Sequence, residues 1–83
     1  MFYVYILKSK KKKWIYVGYS ENLRKRFIEH QSGLSPATKP YRPFDLIFYE
    51  SFKAKEDAKR RERYFKTTKG KRTLKLILQD SLD

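Results

Sequence analysis

Two tyrosines on neighbouring predicted strands could bring two phenol groups together. Tyr5 lies in the run FYVYIL and Tyr16 in the run WIYVGY, and both runs are rich in the β-branched and aromatic residues typical of strands. If the hairpin turns about Lys10–Lys11, Tyr5 and Tyr16 are directly opposite each other and share a face of the sheet. Gly18 on that face would leave a gap beside them. The two phenols are then either a packed aromatic pair or a polar pair next to open space.

A carboxylate lies within a stripe of a predicted helix that should face the core. Ala58, Glu62 and Phe65 are spaced by four and three residues, which puts them on one face of a helix. Burial of a carboxylate lowers stability unless the group is paired or bound to a cation. Glu62 therefore either forms a salt bridge with an arginine such as Arg26 or ligates a metal. One carboxylate, with waters and a substrate phosphate, is a common way to hold Mg²⁺.

The first predicted helix brings a cation and an imidazole to one face. Arg26 and His30 are four residues apart, so their side chains lie one above the other. This face is either a solvated basic surface or, with Tyr5, Tyr16 and Glu62, a set that contains a base, a cation for a phosphate and a metal ligand. One histidine and no cysteine exclude the usual zinc ligand sets. The segment TKGKRT lacks the spacing of a phosphate-binding loop.

The charge balance indicates a polyanionic partner. Lysine and arginine number 21 against 9 acidic residues, which gives a net charge of +12. A small basic domain most often binds nucleic acid, and the alternative is a charge that serves solubility. The absence of cysteine is compatible with a reducing cytoplasm. The first apolar run is only six residues long, too short for a signal peptide or a membrane span. We therefore expect a cytoplasmic protein that binds nucleic acid and no membrane.

The chain of 83 residues predicts one domain of the α+β class, spanning residues 1–83. Hydrophobic periodicity and turn residues predict the order β-β-α-β-α-α. The predicted strands are 2–7, 14–19 and 44–50, and the predicted helices are 22–32, 54–66 and 73–78. The first two strands are apolar on both faces, so both faces should be covered, and their short connection predicts an antiparallel hairpin. Gly33 should end the first helix, and Gly70 should interrupt the chain before the last one.

The sequence resembles the GIY-YIG nuclease family over nearly its whole length. The paired motif of that family is matched by YVY at 3–5 and, ten residues later, by YVG at 16–18. The similarity continues through NLRKRFIEHQSG, YRPFDLIFYE and AKRRERYFKTTKGKRTLK, and it is strongest to the small single-domain bacterial members. Tyr3 stands at the place of the first glycine of the motif. Asn22 is the only asparagine, whereas longer members carry one near the end of the domain that contacts the phosphate.

The resemblance implies a three-stranded antiparallel sheet flanked by helices, and cleavage of phosphodiester bonds, usually in DNA, with one divalent metal, Mg²⁺ or Mn²⁺. It also implies roles for five residues. Glu62 would bind the metal, and Arg26 would hold a phosphate oxygen. Tyr16 would take the proton of the attacking water. Tyr5 and His30 would orient Tyr16 or the water by hydrogen bonds.

Four further residues and the lysine run 8–13 are candidates for contact with the substrate. Gly18 would let a phosphate approach the backbone, and Lys39, Arg42 and Lys66, with the lysine run 8–13, would contact the nucleic acid backbone. The functional prediction is a metal-dependent DNA endonuclease that acts on structured or damaged DNA in repair or recombination. Two alternatives stay open: a nucleic-acid-binding module with a degenerate nuclease site, and an interaction protein whose basic surface binds an acidic partner. The exposed basic faces favour a monomer.

Overall fold

The computed structural model describes residues 1–82 and has the predicted order of strands and helices, with one added turn of 3-10 helix. The bounds are β1 Phe2–Ser9, β2 Ile15–Ser20, α1 Leu23–Ser32, the 3-10 turn Lys39–Tyr41, β3 Phe44–Phe52, α2 Lys55–Phe65 and α3 Thr68–Ile77. The predicted α+β class is confirmed. None of the helices within the described residues has the length and apolar character needed to cross a membrane.

β1 is the central strand of a three-stranded antiparallel sheet with the order β2-β1-β3. Its side chains alternate between the two faces, so Val4 and Ile6 point to one side and Tyr5 and Leu7 to the other. All four are buried, with at most 1% of their surface exposed. The prediction that this strand is covered on both faces is confirmed, and its position between two other strands is the reason.

The sheet separates two apolar cores. The larger core joins the sheet to α2 and α3, and its buried members are Val4, Ile6, Val17, Ala58, Phe65, Leu74 and Leu78. The smaller core lies on the α1 side and is centred on Tyr5, Leu7 and Phe44, with the half-buried Trp14, Tyr16, Leu23, Phe27, Tyr41 and Leu46 packed around them. The smaller core contains tyrosine and tryptophan rings as well as aliphatic side chains. Polar side chains can therefore be buried there and held in a fixed orientation.

The register of the hairpin differs from the predicted one. β1 and β2 pair Tyr5 with Gly18, so the prediction that Tyr5 lies directly opposite Tyr16 is wrong. Ser9 explains the difference, because its hydroxyl accepts hydrogen bonds of 3.1 Å from both backbone N–H groups of Lys11–Lys12 and thereby fixes the turn. Since side chains alternate along a strand, a shift of two residues in the pairing leaves both tyrosines on the same face.

Gly70 lies inside α3 and does not interrupt the chain before it. The predicted start of the last helix at Thr73 is corrected to Thr68. The hydroxyl of Thr67 caps this helix by accepting a hydrogen bond of 2.9 Å from the N–H of Gly70. A Cβ atom at Gly70 would overlap the carbonyl oxygen of Tyr64. Glycine is therefore required here because the last turn of α2 and the first turn of α3 are in direct contact.

Gly70→Ala should destabilise the protein, although alanine is favoured over glycine within a helix by about 1 kcal/mol. The added methyl group would collide with a backbone carbonyl, and overpacking of this kind costs about 1–3 kcal/mol. The free energy of unfolding, measured by urea denaturation, checks this, with Lys71→Ala at an exposed position of the same helix as the control. A free energy of unfolding that is unchanged or higher in Gly70→Ala would contradict the close contact between the two helices.

Candidate active site

The ring of Tyr5 lies across Gly18, its partner on β2. A Cβ atom at Gly18 would overlap the Cζ and hydroxyl oxygen of Tyr5. The gap predicted beside Gly18 is therefore filled by this ring. The missing side chain lets a residue of the central strand extend its hydroxyl group over the neighbouring edge strand.

Local sequence signals place α1 above this ring. Asn22 is the N-cap, since its side chain accepts a hydrogen bond of 3.1 Å from the N–H of Lys25. Gly33 ends the helix in the left-handed conformation, with φ of 79°, as predicted. Between these two ends, Arg26 and His30 lie one turn apart on the helix. The caps thus fix which turn of α1 lies next to the two tyrosines.

His30 is fully buried and is not part of a solvated basic face. Its ring packs against the rings of Tyr5, Tyr16 and Phe44, with centroid distances of 5.8, 5.2 and 6.2 Å. The alternative of a solvated basic surface is therefore wrong for His30. The predicted association of His30 with the two tyrosines is what the structure contains.

A chain of hydrogen bonds runs from Tyr5 through His30 to the loop after α1. The Tyr5 hydroxyl lies 2.8 Å from Nε2 of His30, and Nδ1 of His30 lies 2.8 Å from the hydroxyl of Thr38. Thr38 donates its single hydroxyl proton to the carbonyl oxygen of Ser35 at 3.4 Å. In the tautomer with the imidazole proton on Nδ1, Thr38 accepts from His30 and Nε2 accepts the proton of the Tyr5 hydroxyl, so each proton of the chain has an acceptor.

Burial sets the protonation states along this chain. Burial, and then the nearby Arg26 cation, lowers the pKa of His30 from 6.5 to about 4. Burial, with a smaller contribution from Tyr16, raises the pKa of Tyr5 to about 12. At neutral pH the imidazole is thus neutral and the Tyr5 phenol keeps its proton. Tyr5 is consequently a hydrogen-bond donor in this site and not a base.

Arg26 joins the same group from the solvent side. Its guanidinium pairs with Glu29 at 3.0 Å, and it acts on Tyr5, whose pKa it lowers. Burial acts to lower the pKa of Arg26, but the interactions with Glu29 and Tyr5 outweigh it and raise this pKa. The guanidinium is held in place and its side chain is still 34% exposed. A fixed, planar, charged group at the surface is suited to bidentate contact with a phosphate.

Tyr16 is held by a series of aromatic rings. Its centroid lies 6.3 Å from that of Tyr5, and its ring stacks on Trp14 at 6.1 Å and 23°. Trp14 stacks in turn on Tyr41 at 3.8 Å and 9°. Sequence reasoning missed both Trp14 and Tyr41. The spacing of two between Trp14 and Tyr16 was a usable signal for a shared face, whereas Tyr41 comes from a loop that no periodicity places.

Glu62 approaches the β2 edge from α2, on the opposite side of the sheet. Its side chain is 19% exposed and pairs with Lys66 at 3.2 Å. The alternative of a salt bridge to Arg26 is therefore wrong. Burial raises the pKa of both Tyr5 and Tyr19, and the charge of Glu62 adds to each shift. Glu62 therefore lies within electrostatic range of tyrosines that point to both faces of the sheet.

Glu62 is a single carboxylate, a type of ligand that suits a hard divalent cation and is not enough for zinc. Among residues 1–82, no three His, Cys, Asp or Glu side chains lie close enough together to hold a metal. Mg²⁺ and Mn²⁺ accept oxygen ligands and often bind through one carboxylate, waters and a phosphate. Lys66 engages Oε2 of Glu62, and its own side chain is 52% exposed. Such an exposed ion pair is weak, so a cation can compete for the carboxylate.

The four predicted substrate contacts lie in different parts of the fold. Lys66 is on the α2 side of the sheet. Lys39 is exposed in the 3-10 turn, and the guanidinium of Arg42 packs over Gly33 at the end of α1. Gly18 lies beneath the phenol ring described above, so the space left by its missing side chain is already occupied. Lys39 and Arg42 thus extend the basic surface along the loop after α1, and Lys66 extends it along α2.

Gly18→Ala should displace the Tyr5 ring and destabilise the protein by about 1–3 kcal/mol. In a Tyr5→Leu background the same substitution should cost less, because the ring that it collides with is gone. Urea denaturation of the wild type, both single variants and the double variant measures this coupling. Additive effects of the two substitutions would mean that Tyr5 does not depend on Gly18.

The buried histidine should make stability depend on pH between about 4 and 6.5. The pKa of His30 is lower in the folded than in the unfolded chain, so the unfolded chain binds the proton first as the pH falls. The free energy of unfolding should fall by about 1.4 kcal/mol per pH unit across this range and be insensitive to His30 above it. Urea denaturation at several pH values, compared with His30→Gln, isolates the effect. Parallel pH profiles for the two proteins would contradict it.

Comparison with known proteins places the chain in a family. Residues 1–75 match the GIY-YIG catalytic domain. A UPF0213 protein of Staphylococcus saprophyticus is 40% identical over 76 residues, which are 90% of this chain and 92% of that protein. The UPF0213 protein YazA of Bacillus subtilis is 43% identical over 65 residues, 77% of this chain and 65% of that protein. A UPF0213 protein of Clostridium perfringens is 37% identical over 83 residues, 99% of this chain and 88% of that protein. No solved structure matches the chain. By its sequence and its fold, the chain belongs to the GIY-YIG family.

Proposed function

We propose that the protein is a metal-dependent endonuclease that hydrolyses phosphodiester bonds in DNA. The observation that supports this best is the hydrogen bond between Tyr5 and His30, with Tyr16 packed against both rings and Arg26 one turn before His30 on α1. Phosphodiester hydrolysis needs a group that holds the phosphate, a group that takes a proton from water, and a cation that stabilises the developing charge. This site has a residue suited to each need.

Arg26 holds the phosphate in this proposal. Its guanidinium is oriented by Glu29, so little side-chain entropy is lost when a non-bridging oxygen binds. Arg26 keeps its positive charge throughout. An arginine that is already fixed in place contributes more to binding than a free one.

Tyr16 acts on the attacking water as a phenolate: it first releases its own proton to solvent and then takes the proton of the water. Tyr5 cannot do so, because burial favours its protonated phenol. The two tyrosines therefore have different roles: Tyr5 binds His30, and Tyr16 acts on the water. His30 is a positioning residue, since it acts through Tyr5.

Glu62 would hold Mg²⁺ or Mn²⁺, which when bound neutralises the charge on the phosphate and on the leaving oxygen. Without the metal, Lys66 neutralises the negative charge of Glu62 through the ion pair of 3.2 Å. Because Glu62 lies on α2 and Arg26 on α1, the substrate phosphate would bind at the edge of β2, between the two helices.

The net charge of +12 favours an affinity for DNA that comes from phosphate contacts. Residues 1–83 are proposed to form one domain, and the protein is proposed to be monomeric and cytoplasmic. Lys39, Arg42 and Lys66 are assigned to such phosphate contacts, whereas Gly18 accommodates the Tyr5 ring instead of a phosphate. Phosphate contacts carry no sequence information, so the substrate should be recognised by its structure, as in branched or damaged DNA during repair or recombination.

A second candidate function is a nucleic-acid-binding module without efficient catalysis. It is favoured by one observation: Asn22, the only asparagine of the chain, caps α1 and is therefore not available for the phosphate contact near the end of the domain.

Cleavage of labelled duplex, single-stranded and branched DNA with Mg²⁺ or Mn²⁺ tests the proposal. Glu62→Gln and Tyr16→Phe should each lower the cleavage rate at least 100-fold, since loss of a general base alone costs about 10²–10⁴. Binding of DNA should change little. Glu56→Gln, at an exposed position of the same helix, is the matched control and should cut normally.

Two results would reject the proposal in different ways. If Glu62→Gln cuts as fast as the wild type, the assigned site is wrong. If the wild type binds DNA in a salt-dependent manner but cuts no substrate with either metal, the binding module is the better description.

A further inference from the structure

α1 leaves one corner of the sheet uncovered. A cavity of about 690 Å³ lies there, within the size range of small-molecule sites, about 300–1,000 Å³. We call it the aromatic hollow, and its main lining residues are Tyr3, Arg24, Phe27, Ile28, Leu46 and Tyr49. It is distinct from the cleft that contains Arg26, which lies on the other side of the N-terminal turn of α1.

Two aromatic rings, those of Tyr3 and Tyr49, line the hollow and are accessible from the surface. Tyr3 and Tyr49 lie edge to face at 6.1 Å and 64°. Tyr49 is 55% exposed and the neighbouring Ile28 is 57% exposed. Tyr3 stands at the position where the paired motif has its first glycine, so this ring adds to the sheet a surface that glycine would not provide.

We propose that the aromatic hollow binds a single nucleobase that has left its stack. The proposal rests on the proposed function in that a nucleic acid strand must lie at the adjacent site. Aromatic side chains bind unstacked bases of any sequence through their π faces, and an arginine beside them can contact the base or its phosphate. The hollow supplies both, with Tyr3 and Tyr49 as rings and Arg24 as the cation.

The hollow adjoins the proposed catalytic cleft. Glu21 and Asn22 line both cavities, so only the turn before α1 separates them. A strand whose phosphate is held by Arg26 would therefore pass this turn, and a neighbouring base could enter the hollow without leaving the protein surface. The carboxylate of Glu21 lies 4.0 Å from Lys55, which reduces its repulsion of a phosphate.

Charge favours a nucleic acid over a second copy of this chain as the occupant. Two copies that met at this face would each carry a charge of +12 and would repel each other. A polyanion is attracted by this charge, and Lys55 reduces the repulsion that Glu21 would exert on it. The inference predicts which DNA should be preferred. DNA with an unpaired nucleotide, such as a bulge or a flap, has a base that can enter the hollow without the cost of unstacking a pair.

A binding experiment without cleavage tests the inference. A duplex with 2-aminopurine as a one-nucleotide bulge, and the same duplex fully paired, are titrated with protein in EDTA. The wild type should bind the bulged duplex about tenfold more tightly and quench its 2-aminopurine fluorescence by stacking. Tyr49→Leu, at an exposed position, should lose both the preference and the quenching. Tyr49→Phe keeps the ring and should retain them, and Leu76→Ala, which removes an exposed apolar side chain on α3, should change neither.

Three results would overturn the inference. They are equal binding of the two duplexes by the wild type, an undiminished preference in Tyr49→Leu, and a dimer in sedimentation that Tyr49→Leu converts to a monomer. The cleavage assay with Glu62→Gln distinguishes failure of this inference from failure of the proposed function. Cleavage without a bulge preference rejects only the base site, and a Tyr49-dependent preference without cleavage rejects only the nuclease.

Discussion

The contact between the Tyr5 ring and the backbone of Gly18 is the constraint on which the site depends. The ring occupies the space of an absent side chain, and this brings its hydroxyl over the edge strand to both His30 and Arg26. His30 is then fixed by Thr38, which ties the loop after α1 to the sheet. One close approach between two strands thus contributes to the position of a helix, of a loop and of the His30 ring.

The two faces of the sheet have different roles, and both contribute residues to the proposed site at the edge of β2. The α2 and α3 side supplies most of the aliphatic burial, and it carries Glu62 on a helix that is otherwise anchored by Phe65 and Ala58. The α1 side buries polar rings, each with a hydrogen-bond or stacking partner, at a cost that the larger core can offset. An arrangement of this kind lets a small protein hold polar groups rigidly without making its whole interior polar.

Much of this organisation could be predicted from sequence, because it depends on local patterns. The strand order, the stop at Gly33 and the buried stripe around Glu62 all follow from short-range rules. What could not be predicted depends on contacts between distant segments. The hairpin register follows a side-chain bond of Ser9, the place of Gly70 follows a carbonyl in another helix, and the burial of His30 requires a threonine from a loop.

The stack of Trp14 between Tyr16 and Tyr41 has a practical consequence. Trp14 is the only tryptophan of the chain, and Lys12 lies over the outer face of Tyr41 at 5.3 Å. All of the indole emission of the protein therefore originates one ring away from the proposed base. Any ligand that reorders these rings must change that emission, so the protein carries an intrinsic optical reporter and occupancy of the site can be followed in real time without a label.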